Sequence, residues 1–536
     1  MAATLGPLPP RNAHADHNAD KKKRGAFDFE RVGALADSIA PAPAPHDTLA
    51  ITATIPYLGQ YGTGDAYVYL SDAHSTLTNP VVVAEGFDIN NDMNWDELYA
   101  LLNQADLLET LRAIGFDAVV LNFAESTDYL QRNAFVLVEL LQQVQAAIAP
   151  DMDVALAGAS MGGLIARYAL AYMETHGPAH RVRTFISFDA PHRGANITLG
   201  VQYWVGFFAD LSDAAAYNLE RLDTPAARQM LVYHHTDPPG ATGESDPLRA
   251  DFLADLAAVG DWPSQPRLVA VANGSGYGAN QGYAAGAQLI DYEYSAFLTY
   301  IKGNVWAVPD GNSQMIFDGN ILVIIPLGTL QVSVSGTAPY DNAPGGFRNT
   351  LADMDSTEAP YGDIVALYPN HCFIPTVSAL AIETSDLFFD IAGAGDLLSH
   401  TPFEVVYYPA ENQEHGTITA ESKEWFLDAV RWAATGARTG QPAAAGVVLH
   451  QNVPNPFNPS TSIAFTLREA GEVMLAVYDA AGRRVATLMD GPAPAGTSRV
   501  AWDGRDHRGI RVSSGVYFCR LQTEGRVLTR KLVMLK

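Results

Sequence analysis

Cysteine is nearly missing from this chain: 536 residues contain two, Cys372 and Cys519. They fall in stretches that read as different domains, so a disulfide framework is excluded as the source of stability; so low a thiol count suits an exported protein. No run of about 18 apolar residues occurs, and no transmembrane span is expected. Basic residues are scarce, with 33 Lys+Arg against 59 Asp+Glu and a net charge of −26. That deficit argues against a nucleic-acid partner, because an acidic body repels phosphates. No apolar run follows the basic Lys21-Lys22-Lys23-Arg24, so no signal peptide is visible. Neither the region 180–193 nor the pair His234-His235 shows metal-ligand spacing, so no metal is expected, and no cofactor is called for.

What is present fits a globular protein, with 48% hydrophobic and 17% charged residues. The length calls for two or three folded units. Residues 1–45, rich in Ala, Pro, His and Asn and ending in Ala-Pro repeats, read as a flexible leader. Beyond them short apolar runs alternate with helical spacing. Strands are expected at 50–57, 66–70, 80–84 (PVVVA), 117–122 (DAVVLN), 153–157 (DVALA), 183–188, 267–272 and 404–408. Helices are expected at 95–112, 134–148, 164–174 and 420–434. Repeated β-α-β units with strands apolar throughout predict a doubly wound, mostly parallel sheet covered on both faces. This α/β domain is placed at 46–438. A helical, lid-like insertion (195–265) and a β-rich insertion (274–363) interrupt it. The strongly apolar VQYWVGFF at 201–208 reads as a lid or acyl-pocket wall, or equally as a buried helix.

A linker at 439–450 leads to a segment of different character. Residues 446–536 carry a net +5, leaving −31 for the rest. Six short alternating strands at 462–467, 473–478, 484–488, 499–502, 516–521 and 527–533, with turns at Ala481-Gly482, Asp503-Gly504 and Glu524-Gly525, predict an all-β sandwich of Ig-like size over 451–536.

The chemistry concentrates at Gly158-Ala159-Ser160-Met161-Gly162, a G-x-S-x-G. As a pentapeptide it is common. Here a buried strand precedes it and a helical pattern follows, the context in which a sharp strand-to-helix turn projects a serine hydroxyl above a sheet. The segment SMGGLIARYAL resembles the nucleophile elbow of lipases and esterases of the α/β-hydrolase superfamily, in the branch that includes inositol-deacylase-like lipases. Asp189-Ala190-Pro191-His192-Arg193-Gly194 likewise resembles the loop after the sixth strand of many lipases. The resemblance runs from about residue 49 to 434, and is weak in the two insertions.

The resemblance implies Ser160 as nucleophile and an oxyanion hole built from the backbone N–H groups of Phe87 and Met161. Lipases often carry His-Gly where this chain has Glu85-Gly86, a side-chain change that leaves the backbone donors available. The base belongs after the last strand, where His415 stands; His371 competes from Asn370-His371-Cys372-Phe373. The acid is open. The seventh strand ends in Ala272-Asn273-Gly274-Ser275 without a carboxylate, and His371 stands where a similar lipase segment has Asp. Asp189 at the end of the sixth strand is favoured, with Asp386 and Asp390 as alternatives and an Asp189–His371 network as a further one. His192 reads as structural or wall-forming.

The tail resembles the C-terminal sorting domain of the type IX secretion system and the related Ig-like module of flagellar hook-capping proteins. The residues that carry this are Asn455-Pro456-Phe457-Asn458-Pro459, Val477-Tyr478-Asp479, Trp502-Asp503-Gly504 and Ser514-Gly515-Val516-Tyr517-Phe518. It implies secretion machinery as a partner and a secreted or cell-surface location. Such sorting needs a signal peptide, so the start is expected to be misassigned or the sequence truncated. The leading functional expectation is an esterase or lipase acting on an ester or lipid substrate. Against it stand a non-catalytic binding or surface protein with the same fold, and an acyltransferase. The sequence leaves the oligomeric state and the ester open.

Overall fold

The computed structural model describes residues 42–435 and 448–535, apart from 89, 237–244, 357–362, 395–396, 450–451, 453–456, 468–469, 480–482, 495 and 524–525. Nearly all of the expected leader, most of the expected linker, and the turns at 481–482 and 524–525 lie outside the described residues.

Eight strands form the main sheet. They are β1 (Asp47–Thr52), β2 (Thr63–Tyr69), β3 (Pro80–Ala84), β4 (Asp117–Phe123), β5 (Val154–Ala159), β6 (Val182–Phe188), β7 (Arg267–Val271) and a last strand, Val405–Tyr407, in the order β1-β2-β4-β3-β5-β6-β7-last. β1, β2 and β4 pair antiparallel. From β4 onward every pairing is parallel. All five residues of β3 are buried, the pattern of a strand covered on both faces. The sheet separates two apolar layers. One holds helices Leu130–Ala147 and Met161–Thr175; the other holds Trp95–Leu102, Leu107–Ala113 and Ala420–Thr435.

The helix expected at 95–112 is two helices. Asn94 opens the first with a capping box to Glu97. Ala105 and Asp106 then take left-handed φ of 52° and 59°, which breaks the run. A helical pattern alone does not reveal such a break.

The two insertions pack on each other. Leu199–Phe208 was open as a lid; instead Val201, Trp204, Val205 and Phe208 bury against Leu289, Ile301, Val305 and Phe317 of a six-stranded insertion sheet. Its apolar surface is therefore core between the insertions. The tail forms two sheets, of three and four strands, around Phe465, Leu475, Val477, Trp502 and Leu521. Val448–Leu449, expected as linker, pairs with Phe465 and Thr466.

Glycines set how closely the elbow helix approaches the sheet. A Cβ on Gly158 would lie 2.4 Å from the Gly162 carbonyl oxygen, and one on Gly162 would lie 2.4 Å from the carbonyl oxygens of Ala84 and Glu85. Backbone cannot give way there as a side chain could. Gly158→Ala is expected to destabilise the α/β domain by about 1–3 kcal/mol, the range for overpacking a close-packed site. Urea unfolding checks this; an unchanged midpoint would mean that the approach is not as close as described.

Candidate active site

Ser160 sits between β5 and helix Met161–Thr175 with φ 52° and ψ −123°. A non-glycine residue in that region is strained and persists only where its surroundings hold it. Here its N–H donates to the Phe188 carbonyl at 2.8 Å, while Gly162 and Gly163 clear space for β3 and for Ala190. The hydroxyl stands at the carboxyl end of a central parallel strand, above a helix N-terminus whose first amide, Met161, has no intrahelical partner by position.

His415 arrives from the loop after the last strand. Its Nε2 lies 2.8 Å from Ser160 Oγ and its Nδ1 lies 2.6 Å from Asp189 Oδ2. Both His415 and Asp189 are buried. Asp189, at the end of β6, also takes a left-handed φ, of 44°. Its other oxygen, Oδ1, accepts the Asn273 N–H at 2.9 Å. Burial pulls the His415 imidazole below the usual histidine value; Asp189 opposes that shift, and the charge of Arg348 reinforces it.

The other candidates lie elsewhere. His371 is buried, with Nδ1 2.9 Å from the Cys372 carbonyl and Nε2 3.3 Å from Thr350 Oγ1, which is the geometry of a wall residue. It makes no hydrogen bond to Asp189 among the described contacts. Asp386 and Asp390 are loop caps, accepting the N–H groups of Phe388 and Gly393 at 2.9 Å each. His192 pairs with Ser187 Oγ at 2.7 Å and packs between Trp262 and Phe403.

Asn273 is the residue the sequence reading passed over. Besides its N–H on Asp189, its Oδ1 accepts the Gly416 N–H at 2.9 Å and its Nδ2 donates to the Thr417 carbonyl at 2.8 Å. It ties Asp189 to the histidine loop from the end of β7, the strand end that lacks a carboxylate. The only signal in sequence was a polar residue there that was not a carboxylate. The β-rich insertion adds a second tie: His415 N–H donates to the Phe347 carbonyl and Phe347 N–H donates to the Gln413 carbonyl. Beyond the insertion, the Phe373 ring meets the imidazole edge-on at 4.9 Å.

A pocket opens at Ser160. Gly86 and Phe87 line one side, and a Cβ on Gly86 would lie 3.2 Å from Ser160 Cβ, so this loop sits directly over the hydroxyl. Below, the lining is apolar: Leu98, Leu101, Leu102, Leu107, Leu108 and Phe426. These belong to the paired helices after β3 and to the last helix. No residue of Leu199–Phe208 takes part. Elsewhere the fold brings Asp223 to His234 and His235, a third group that their spacing did not reveal. Both ring nitrogens of His234 are engaged there, with Thr236 Oγ1 and the Leu222 carbonyl. Among the described residues no helix is long and apolar enough to cross a membrane.

Two family models match parts of the chain: a PGAP1-like alpha/beta domain over 117–238 and a FlgD Ig-like domain over 454–525. No curated protein matches. Among solved structures, the chain is 17% identical to Est1E from Butyrivibrio proteoclasticus, covering 26% of this chain and 51% of that one at a TM-score of 0.20. It is 21% identical to FlgD from P. aeruginosa, covering 17% and 77% at 0.14. It is also 21% identical to PorZ, described as a surface component of the type IX secretion system of Porphyromonas gingivalis, covering 17% and 12% at 0.13. The chain thus spans about half the length of the esterase it matches, and likenesses this slight carry no argument about activity. The matched models and the observed topology agree on the architecture: this is an α/β-hydrolase-like domain, PGAP1-like over 117–238, followed by a C-terminal FlgD Ig-like domain.

Proposed function

We propose that the chain is a serine hydrolase that cleaves carboxylic esters through an acyl-enzyme on Ser160. The observation that carries this reading is one imidazole in hydrogen-bond reach of both a strained, pocket-facing serine and a buried carboxylate. In the proposed reaction His415 Nε2 takes the Ser160 proton as Oγ attacks the ester carbonyl. The negative charge passes to the carbonyl oxygen, which the N–H groups of Phe87 and Met161 receive. Collapse breaks the acyl–oxygen bond, and His415 returns the proton to the departing alcohol. Water then repeats the sequence on the acyl-enzyme, releasing the acid and restoring Ser160. Asp189 keeps the proton on Nδ1 and stabilises the imidazolium. The apolar floor under Ser160 favours an acyl group that is itself apolar. For the Ig-like module we propose export or surface attachment, supported by the motif series Asn455-Pro456-Phe457-Asn458-Pro459 to Ser514-Gly515-Val516-Tyr517 and by the hook-capping family match. Deletion of 451–536 should leave ester hydrolysis intact and abolish appearance at the cell surface in a host with that secretion system.

Ser160→Ala is expected to abolish hydrolysis of a short p-nitrophenyl ester in folded protein, and Asp189→Asn to lower kcat by about 10⁴-fold. Activity retained in Ser160→Ala would reject the mechanism. The base acts only when neutral, and burial lowers its pKa. A profile of kcat/KM against pH should therefore rise on an acid limb centred below the ordinary histidine value of 6.5. A limb centred above that value would contradict the assignment. Leu101→Trp, at the pocket floor, should lower kcat/KM for a long acyl ester about 10-fold or more relative to an acetyl ester, the scale of losing a few methylenes of burial. Equal effects on both would place the acyl group elsewhere.

A further inference from the structure

Two acids share the loop over Ser160, both buried, and the fold treats them differently. Asp88 has its carboxylate met by three backbone donors: Oδ1 accepts from Asn90 at 3.1 Å and Asn91 at 2.9 Å, and Oδ2 accepts from Met93 at 2.8 Å. Among the described contacts Glu85 has one, the Phe123 N–H on Oε1. That bond has a specific place in the sheet. Ala84 is the last residue of β3 and pairs with Leu121 of β4. Glu85 N–H adds a rung to the Leu121 carbonyl, and then the Glu85 side chain takes the rung after it, where the main chain has turned away to form the loop. Next in sequence, Gly86 lies against Ser160, and Gly162 of the elbow packs onto the Glu85 carbonyl.

We propose, building on the esterase reading, that Glu85 is a positioning residue of the oxyanion loop that works as a neutral carboxylic acid. Its side-chain Oε1, accepting the Phe123 N–H, splices the loop onto β4 and so fixes the Phe87 N–H. Its proton keeps a negative charge from standing beside the oxyanion that the loop must receive. An ionised Glu85 would oppose the charge that forms in the transition state, in a site where water does little to screen it. A carboxylic acid held neutral in an apolar oxyanion site is a known device in enol chemistry. Burial pushes Glu85 well above the usual carboxylate range, Asp88 adds to this, and the Phe123 N–H opposes it.

The surrounding groups leave the alkaline side of the pH profile to Glu85. Asp88 faces it from its own loop and Tyr67 from β2. His415, His371, Arg221 and Arg348 share the pocket. Burial raises Tyr67 above 10.0, and it lowers both histidines below 6.5.

The experiment compares wild type, Glu85→Ala and Glu85→Gln in p-nitrophenyl ester hydrolysis across pH, beside covalent labelling of Ser160 by a fluorophosphonate. Glu85→Ala orphans a buried N–H and loosens the loop, and kcat should fall about 100-fold with little change in KM. Glu85→Gln keeps the accepting oxygen and the neutrality, and should restore most of that loss. Wild type should lose activity on an alkaline limb that Glu85→Gln lacks. The proposal is overturned if Glu85→Gln is as impaired as Glu85→Ala, if the alkaline limb persists in Glu85→Gln, or if wild type shows none. Should Glu85→Ala not fold, the Glu85→Gln profile still decides. Failure of the esterase reading is separate: it would appear as no hydrolysis and no Ser160 labelling in any of the three proteins.

Discussion

One imidazole holds this molecule's chemistry together. His415 reaches Ser160 across 255 residues of chain and Asp189 across 226, with 2.8 Å and 2.6 Å contacts on its two ring nitrogens. Neither partner can be placed without the whole sheet: Ser160 at the end of β5, Asp189 at the end of β6, and the histidine on a loop that β7 and the last strand must first bring alongside. Two of the three residues that meet there, Ser160 and Asp189, have left-handed φ. Local backbone energy is spent to aim side chains, and the buried parallel sheet supplies the stability that permits it.

The insertions serve that geometry. The β-rich insertion braces the histidine loop through Phe347, with Phe373 just beyond it against the imidazole, and the insertion's own sheet is covered by the helix Leu199–Phe208. An apolar helix after the sixth strand is therefore support for the site at one remove. The apolar floor of the pocket comes instead from the paired helices after β3, whose break at Ala105–Asp106 lets Leu101, Leu102, Leu107 and Leu108 converge.

Much of the architecture was legible because its signals are local. Apolar strands such as PVVVA, the β-α alternation and the short-strand tail all appear in the structure within a few residues of where periodicity puts them. Ser160 could be singled out because strand, glycine, serine and helix are contiguous. The pairing of Asp189 with His415 could only be favoured among alternatives, since a carboxylate's reach depends on how distant loops close. Asn273 escaped because its work is hydrogen bonds to two separate segments, which no spacing records. The break between the first helices escaped because two left-handed residues, Ala105 and Asp106, are chosen by packing over propensity. The surroundings of Glu85 were hidden for the same reason: a departure from the His-Gly pattern is visible in sequence, whereas the β4 rung that its side chain completes is not.

The central claim is that acyl transfer passes through the hydroxyl of Ser160. Acid-quenching the full chain within its first turnovers of a p-nitrophenyl ester, then mapping peptide masses, tests it most directly. The account predicts one acyl group per chain on the peptide that contains Ser160, formed with a burst of nitrophenol of equal size. Nitrophenol released steadily with no adduct, or an adduct on any other residue, would contradict it.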